Sequence, residues 1–318
     1  MDKVRVGVIG VGYLGKFHTE KYSRMDNVQL VGVVDIDRVL AEEVAARFDT
    51  RAFADYHDLF GHVDAVSIVV PTEDHFSVAT ECLNHDLDVL IEKPMTATLE
   101  QADGLIKIAE SRKRVMQIGH LERFNPAVIA LKDIVHSPMF IEAHRLSIFK
   151  DRSTDVSVVL DLMIHDIDII MNLVKSEIKS IHAAGAPVIC EHADIANVRL
   201  EFESGCVANV TASRISTKNQ RKIRLFQKDA YVSVDFTTRD ITIIRRDESC
   251  ASDLIPGMDI RQLSFSEADA LEDELASYIQ AVSTRQTPVV SGNAGRQALE
   301  VALSITDQIN TAIKPYIN

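Results

Sequence analysis

Gly10-Val11-Gly12-Tyr13-Leu14-Gly15 follows the apolar run Val4–Ile9 and opens a helical pattern over residues 14–25. In a strand–turn–helix setting the three glycines have separate physical reasons: a tight turn, close backbone approach to a phosphate-bearing ligand, and close packing of helix on strand. The next hundred residues keep the same rhythm. Apolar runs at 29–34, 65–70, 88–91 and 115–118 alternate with helical patterns at 38–47, 75–84 and 99–113, and Thr98-x-x-Gln101 reads as a capping box for the last helix. Short, continuously apolar strands separated by helices require a parallel sheet covered on both faces, an α/β doubly wound fold.

The pattern then changes. After a helix around residues 158–174 come strand-like runs at 196–202, 206–213, 221–226, 231–236 and 241–245, with Glu203-Ser204-Gly205 as a hairpin turn. Val198, Leu200 and Phe202 alternate with Asn197, Arg199 and Glu201, the mark of an antiparallel sheet with one face on a core. Helical patterns near 267–283 and 294–312 close the chain. At 318 residues two domains are expected: a dinucleotide-binding Rossmann domain over 1–122 and an α+β domain with a mainly antiparallel sheet over 123–318.

The net charge of −13 argues against nucleic acid or an anionic membrane as partner. The N-terminus carries no targeting pattern, and no apolar stretch is long enough to span a bilayer. Cys82, Cys190, Cys206 and Cys250 are far apart and form no metal-ligand spacing, so reduced thiols in a cytoplasmic protein without a metal centre are expected.

Asp35 lies 20 residues after Gly15, at the end of the second strand. A carboxylate there accepts hydrogen bonds from adenosine ribose hydroxyls and repels a 2′-phosphate, which favours NAD. Arg38 keeps NADP open. The alternative, that the acids merely cap the next helix, applies best to Asp37.

Two segments offer chemistry. In Val158 to Met171, Asp161, His165 and Asp168 recur at i, i+4 and i+7 on an otherwise apolar helix, one polar stripe suited to proton transfer. A structural ion pair or loop cap is the bland alternative. Ile91-Glu92-Lys93-Pro94 ends a strand on the edge where doubly wound sheets bind ligands, and Pro94 stops the ladder and helps aim Lys93. An isolated lysine there is more often ordinary surface.

Taken in order, the Gly10–Gly15 loop, Pro71-Thr72 with His75, Glu92-Lys93-Pro94, Asp161-x-x-x-His165 and the late Gly295-Arg296-Gln297-Ala298-Leu299 resemble the Gfo/Idh/MocA oxidoreductase family along essentially the whole chain. The resemblance implies a second domain whose open sheet often mediates dimers or tetramers. It implies NAD contacts from Gly10, Gly12, Tyr13, Leu14, Gly15, Asp35, Pro71, Thr72, His75, Glu92 and Lys93. It also implies a catalytic group of Lys93, Asp161 and His165. His165 takes the alcohol proton as hydride leaves the same carbon, Lys93 holds the substrate oxygen, and Asp161 orients the site. Some members have tyrosine where His165 stands, so the division of roles between Lys93 and His165 stays open. Many have asparagine where this chain has Glu73.

Residues 119–126 and 155–163 resemble the subgroup that oxidises the 3-hydroxyl of UDP-N-acetylglucosamine ahead of amination, which implies an aminotransferase as the consumer of the product. Arg123, Arg145, Lys150 and Arg152 gather around this stretch with Asn125, and guanidinium groups suit a diphosphate. The alternative is solvated cations balanced by Glu142, Asp151 and Asp155. Other readings stay open: a free-sugar or inositol dehydrogenase, a redox-assisted glycosidase with tightly held NAD, or a non-catalytic NAD-binding regulator. The joint presence of Lys93, Asp161 and His165 speaks against the last.

Overall fold

The computed structural model describes residues 3–149, 156–246, 257–265 and 268–317. It divides into two units, Met1–Phe124 with Asp269–Leu299 and Asn125–Ala268 with Glu300–Asn318.

In the first unit β1 (Val4–Ile9), β2 (Val28–Val34), β3 (Arg51–Phe53), β4 (Ala65–Ile68), β5 (Asp88–Glu92) and β6 (Met116–Gly119) form one sheet in the order β3-β2-β1-β4-β5-β6. Every pairing is parallel. The helices are α1 (Gly15–Arg24), α2 (Arg38–Arg47), α3 (Thr72–Asn84) and α4 (Leu99–Arg112). The order reverses between β1 and β4, and ligands of such sheets bind at that switch point. Asp37 caps α2 by accepting from the N–H groups of Val39 and Leu40. Thr98 accepts from Gln101 N–H, and Gln101 Oε1 from Ala97 N–H, so the capping box closes one residue upstream. Helix α3 starts three residues earlier than its apolar pattern because Pro71 breaks the chain direction directly before Thr72.

The second unit contains α5 (Pro126–Ile134), β7 (Phe140–Leu146), a wide π turn over Val159–Met163, α6 (Ile164–Val174), and β8 (Ile178–Ala186), β9 (Ile195–Phe202), β10 (Val207–Ser213), β11 (Gln220–Phe226), β12 (Ala230–Asp235), β13 (Asp240–Arg246) and β14 (Met258–Ser264). The eight strands run β14-β13-β12-β11-β7-β10-β9-β8, antiparallel except where β7 meets β10. The Glu203-Ser204-Gly205 hairpin forms with Gly205 at φ 84°, and Val198, Leu200 and Phe202 are buried as their alternation requires. The π turn and α6 pack against β10.

The last helices, α7 (Ala270–Thr284) and α8 (Gly292–Ile317), correct the expected domain limits, since residues 269–299 belong with the first unit. Leu275, Tyr278, Ile279, Ala281 and Val282 of α7 enter the core formed by β1, β2 and α1. The Tyr278 hydroxyl donates to Val66 O, Gln117 Nε2 donates to Glu274 O, and Arg285 donates to both carboxylate oxygens of buried Asp88 at 2.8 and 2.7 Å. Ordered contacts of this kind cannot be read from chain order.

Candidate active site

The glycine loop has the form its sequence demands. Gly10 sits at φ +86°, and a Cβ there would lie 2.5 Å from Val69 O. A Cβ on Gly15 would collide with the Gly10 carbonyl, whereas Gly12 has nothing within 4 Å. The turn is therefore tight, the helix close, and the middle position open in front of the α1 N-terminus, where free N–H groups and the helix dipole favour phosphate. Asp35 braces this loop, its two oxygens accepting from Val11 N–H (2.8 Å) and Asp37 N–H (3.0 Å). Tyr13, Leu14 and Pro71 are exposed. Ile36, not singled out in the sequence, is fully exposed beside Asp35, an isolated apolar residue between two aspartates.

Two expected cofactor contacts turn inward. His75 is buried, with Nδ1 facing Pro94 O at 2.9 Å and Nε2 facing Val70 O at 3.0 Å, and it ties the loop after β4 to the loop after β5. Burial holds its pKa below the ordinary histidine value, against the pull of the two carbonyls. The Glu92 carboxylate is likewise buried and engaged with His18 and Lys93 N–H. Lys93 itself is half-buried, joined to Pro94 by a cis peptide bond. Thr72 is half-buried as the first residue of α3. Arg123 is half-buried in a short 3-10 turn, Leu121–Phe124.

In the second unit the polar stripe is interrupted. The Ile164 N–H reaches Val159 O, a π-type bond, so one extra residue fits into the turn that carries Asp161. Such wide turns recur at functional sites. Asp161 and His165 are half-buried, while Asp168 is 2% exposed and belongs to the interior. The residues before the turn are pinned: Val158 N–H donates to Ala193 O, and Arg214 Nη2 donates to Val156 O. Asp194 anchors the pinning loop by accepting from the N–H groups of Val188, Ile189 and Cys190. Burial pushes this carboxyl up, but the three N–H groups outweigh it and hold it at about 2.

The cations expected to hold a diphosphate meet different fates. Arg145 is a correction. It is 3% exposed, and its Nε and Nη2 donate to the two carboxylate oxygens of buried Asp166, each at 2.9 Å. The pair joins β7 to α6, with the guanidinium over the Phe236 ring at 5.8 Å. Asn125 is buried and its Oδ1 accepts from Ala127 N–H, the cap of α5. Glu142, read as a balancing acid, pairs with Arg224. Arg152 lies outside the described residues, as do Lys150, Asp151, Asp155 and Cys250. Among the described residues no group of three His, Cys, Asp or Glu side chains could hold a metal ion, and no helix is long and apolar enough to cross a membrane.

Comparison with known proteins bears on these observations. Residues 4–120 match the family model described as oxidoreductase family, NAD-binding Rossmann fold, and residues 134–233 match the GFO/IDH/MocA C-terminal domain. The chain is 38% identical to UDP-N-acetylglucosamine 3-dehydrogenase of Acidithiobacillus ferrooxidans, over 100% of this chain and 99% of that one. A solved structure of that enzyme superposes with a TM-score of 0.94, covering 99% of this chain and 100% of the other. Myo-inositol 2-dehydrogenase of Thermotoga maritima is 26% identical over 93% of each chain.

Proposed function

Because the chain belongs to the Gfo/Idh/MocA oxidoreductase family, we propose that it oxidises the 3-hydroxyl of UDP-N-acetylglucosamine with NAD as hydride acceptor. The observation that carries this reading is the unbroken likeness, through both units, to the Acidithiobacillus ferrooxidans enzyme. The residues present fit the dinucleotide: the open face at Gly12 and the α1 N-terminus suit its pyrophosphate, and Asp35 its ribose. When bound, the nicotinamide supplies the acceptor for the hydride. Lys93 holds the substrate oxygen and answers the negative charge that develops there, His165 takes the hydroxyl proton, and Asp161 orients the site.

Arg38, the residue that kept NADP open, is exposed and pairs along α2 with Glu42 at 2.9 Å. Asp35→Ala should weaken NAD binding by about tenfold, the scale of one lost charge-assisted hydrogen bond. Calorimetric titration with both dinucleotides should show NADP binding unchanged or improved; an unaltered NAD affinity removes Asp35 from the site.

The experiment that tests the substrate is NAD reduction by purified protein with a carbonyl trap, given UDP-N-acetylglucosamine, free N-acetylglucosamine and myo-inositol in parallel. Reduction that requires the UDP-sugar supports the proposal. A second reading, oxidation of a free sugar or inositol, is favoured by one observation: Arg145 is committed to Asp166. Reduction with myo-inositol or the free sugar alone selects it.

We also propose that copies of the chain associate through the outer face of the eight-stranded sheet. Ile260, Ile244, Tyr231, Phe226, Phe140 and Val207 stand opposite one another on successive strands. Ring centroids are 5.7 Å apart for Phe140–Phe226 and 5.1 Å for Phe226–Tyr231, so an apolar band crosses six strands. Phe226→Asp should lower the mass measured by light scattering after size exclusion. An oligomer unchanged in that variant excludes this face.

A further inference from the structure

The roles assigned above use Lys93 but none of the charges buried behind it. Glu92 ends β5 with its carboxylate turned inward. One oxygen, Oε2, accepts the Lys93 N–H at 3.2 Å, and the other, Oε1, meets His18 Nε2 at 3.2 Å. His18 is 1% exposed and lies in the first turn of α1, directly behind the glycine loop. A single carboxylate thus joins the helix that faces the dinucleotide to the backbone of the lysine. Gly119 keeps room for it, since a Cβ there would stand 3.0 Å from the Glu92 carboxyl carbon and Oε2.

A second acid shares this interior. Glu274 of α7 is 0% exposed, and neither of its oxygens has a hydrogen-bond partner among the described residues. Burial and the nearby charge of Glu92 push its carboxyl well above the ordinary carboxylate value. Burial pushes Glu92 up as well, but the hydrogen bond and charge of His18, with the charge and N–H of Lys93, hold it below the ordinary value. Apolar groups of similar size usually serve stability as well as a buried charge pair does. Net stabilisation is therefore not the expected contribution of such a pair.

We propose that His18 and Glu92 form a positioning dyad that transmits the seating of the dinucleotide on α1 to Lys93. The inference rests on the catalytic reading of Lys93. In such an arrangement the dyad fixes where the lysine backbone leaves β5, and a misplacement of about 1 Å can cost on the order of a hundredfold in rate.

The test measures kcat, KM, NAD affinity and thermal midpoint for His18→Leu, His18→Gln, the double variant His18→Leu with Glu92→Met, and Lys93→Met. His18→Leu should lower kcat at least about tenfold with NAD affinity held within about threefold, and should lower the midpoint by leaving Glu92 unpaired. His18→Gln retains an N–H toward Glu92 and should recover most of kcat. The double variant removes both polar partners and should regain the midpoint while kcat stays low. Recovery of kcat together with the midpoint makes the pair purely structural and overturns the dyad; so does an unchanged kcat in His18→Leu, or a loss confined to NAD affinity. Turnover surviving in Lys93→Met overturns the reading of the lysine itself. Turnover lost there but intact in His18→Leu overturns the dyad alone.

Discussion

Lys93→Met should lower kcat by about three orders of magnitude, and His165→Ala by a similar factor, with NAD binding retained in both proteins. Methionine keeps the length and apolar stem of lysine and removes the ammonium, so the loss reports charge and hydrogen bonding at the substrate oxygen. Electrostatic stabilisation of a developing oxyanion is worth about 10²–10³ in rate, and general acid–base catalysis about 10²–10⁴. If the two side chains act on the same hydroxyl, the double variant should be little slower than either single one, because groups that act as a unit are not additive. The glycine loop and Asp35 are untouched by either change, so NAD binding is expected to persist. Steady-state kinetics with calorimetric NAD titration measure this directly. Near-normal turnover in both variants would falsify the assignment.

Arg145→Met has the largest expected effect on folding. The Arg145–Asp166 pair is bidentate and almost wholly buried, at 3% and 2% exposure. Removing one partner leaves a carboxylate without its counter-charge in a low-dielectric interior, at a cost of about 3–5 kcal/mol. For a body of this size each kcal/mol moves the midpoint by about 2–4 °C, so a fall of roughly 6–20 °C is expected in thermal denaturation followed by circular dichroism. Adding Asp166→Leu should restore most of it, since the penalty comes from the orphaned charge. A single variant that melts with the parent shows that Asp166 is answered in some other way.

Much of the first unit was legible because its central strands β1, β4, β5 and β6 are largely buried and its helices punctuated. Val4–Ile9 and the glycine loop leave no other geometry open, and Asp37 and Thr98 announce their helices. The second unit was harder. Strand β7 alternates charged with apolar residues in the middle of its sheet, β8 has small residues where a core face would show bulk, and β14 is an exposed edge. Helix α5 did carry its signal, Asn125 as cap before Pro126, inside a stretch read as a connection. The π turn is invisible to a 3.6-residue period. The partner of Arg145 lies 21 positions away, so nothing local separates a ligand cation from a core one. His18 looks like any helical histidine until β5 is placed beside α1. What escaped the sequence was therefore mostly long-range pairing.

The return of α7 to the first unit has a consequence for biosynthesis. A nascent chain that has emerged only to residue 124 has all six parallel strands but lacks Leu275, Tyr278 and Ile279, which complete the core, and it leaves Asp88 buried without Arg285. The nucleotide-binding body is thus encoded as a split gene segment, with the β-rich body spliced into it at 125–268. Its last stabilising contacts become available only when translation is nearly finished, so a nonsense mutation ahead of α7 is expected to strip core residues from the N-terminal body as well as the end of α8 from the other.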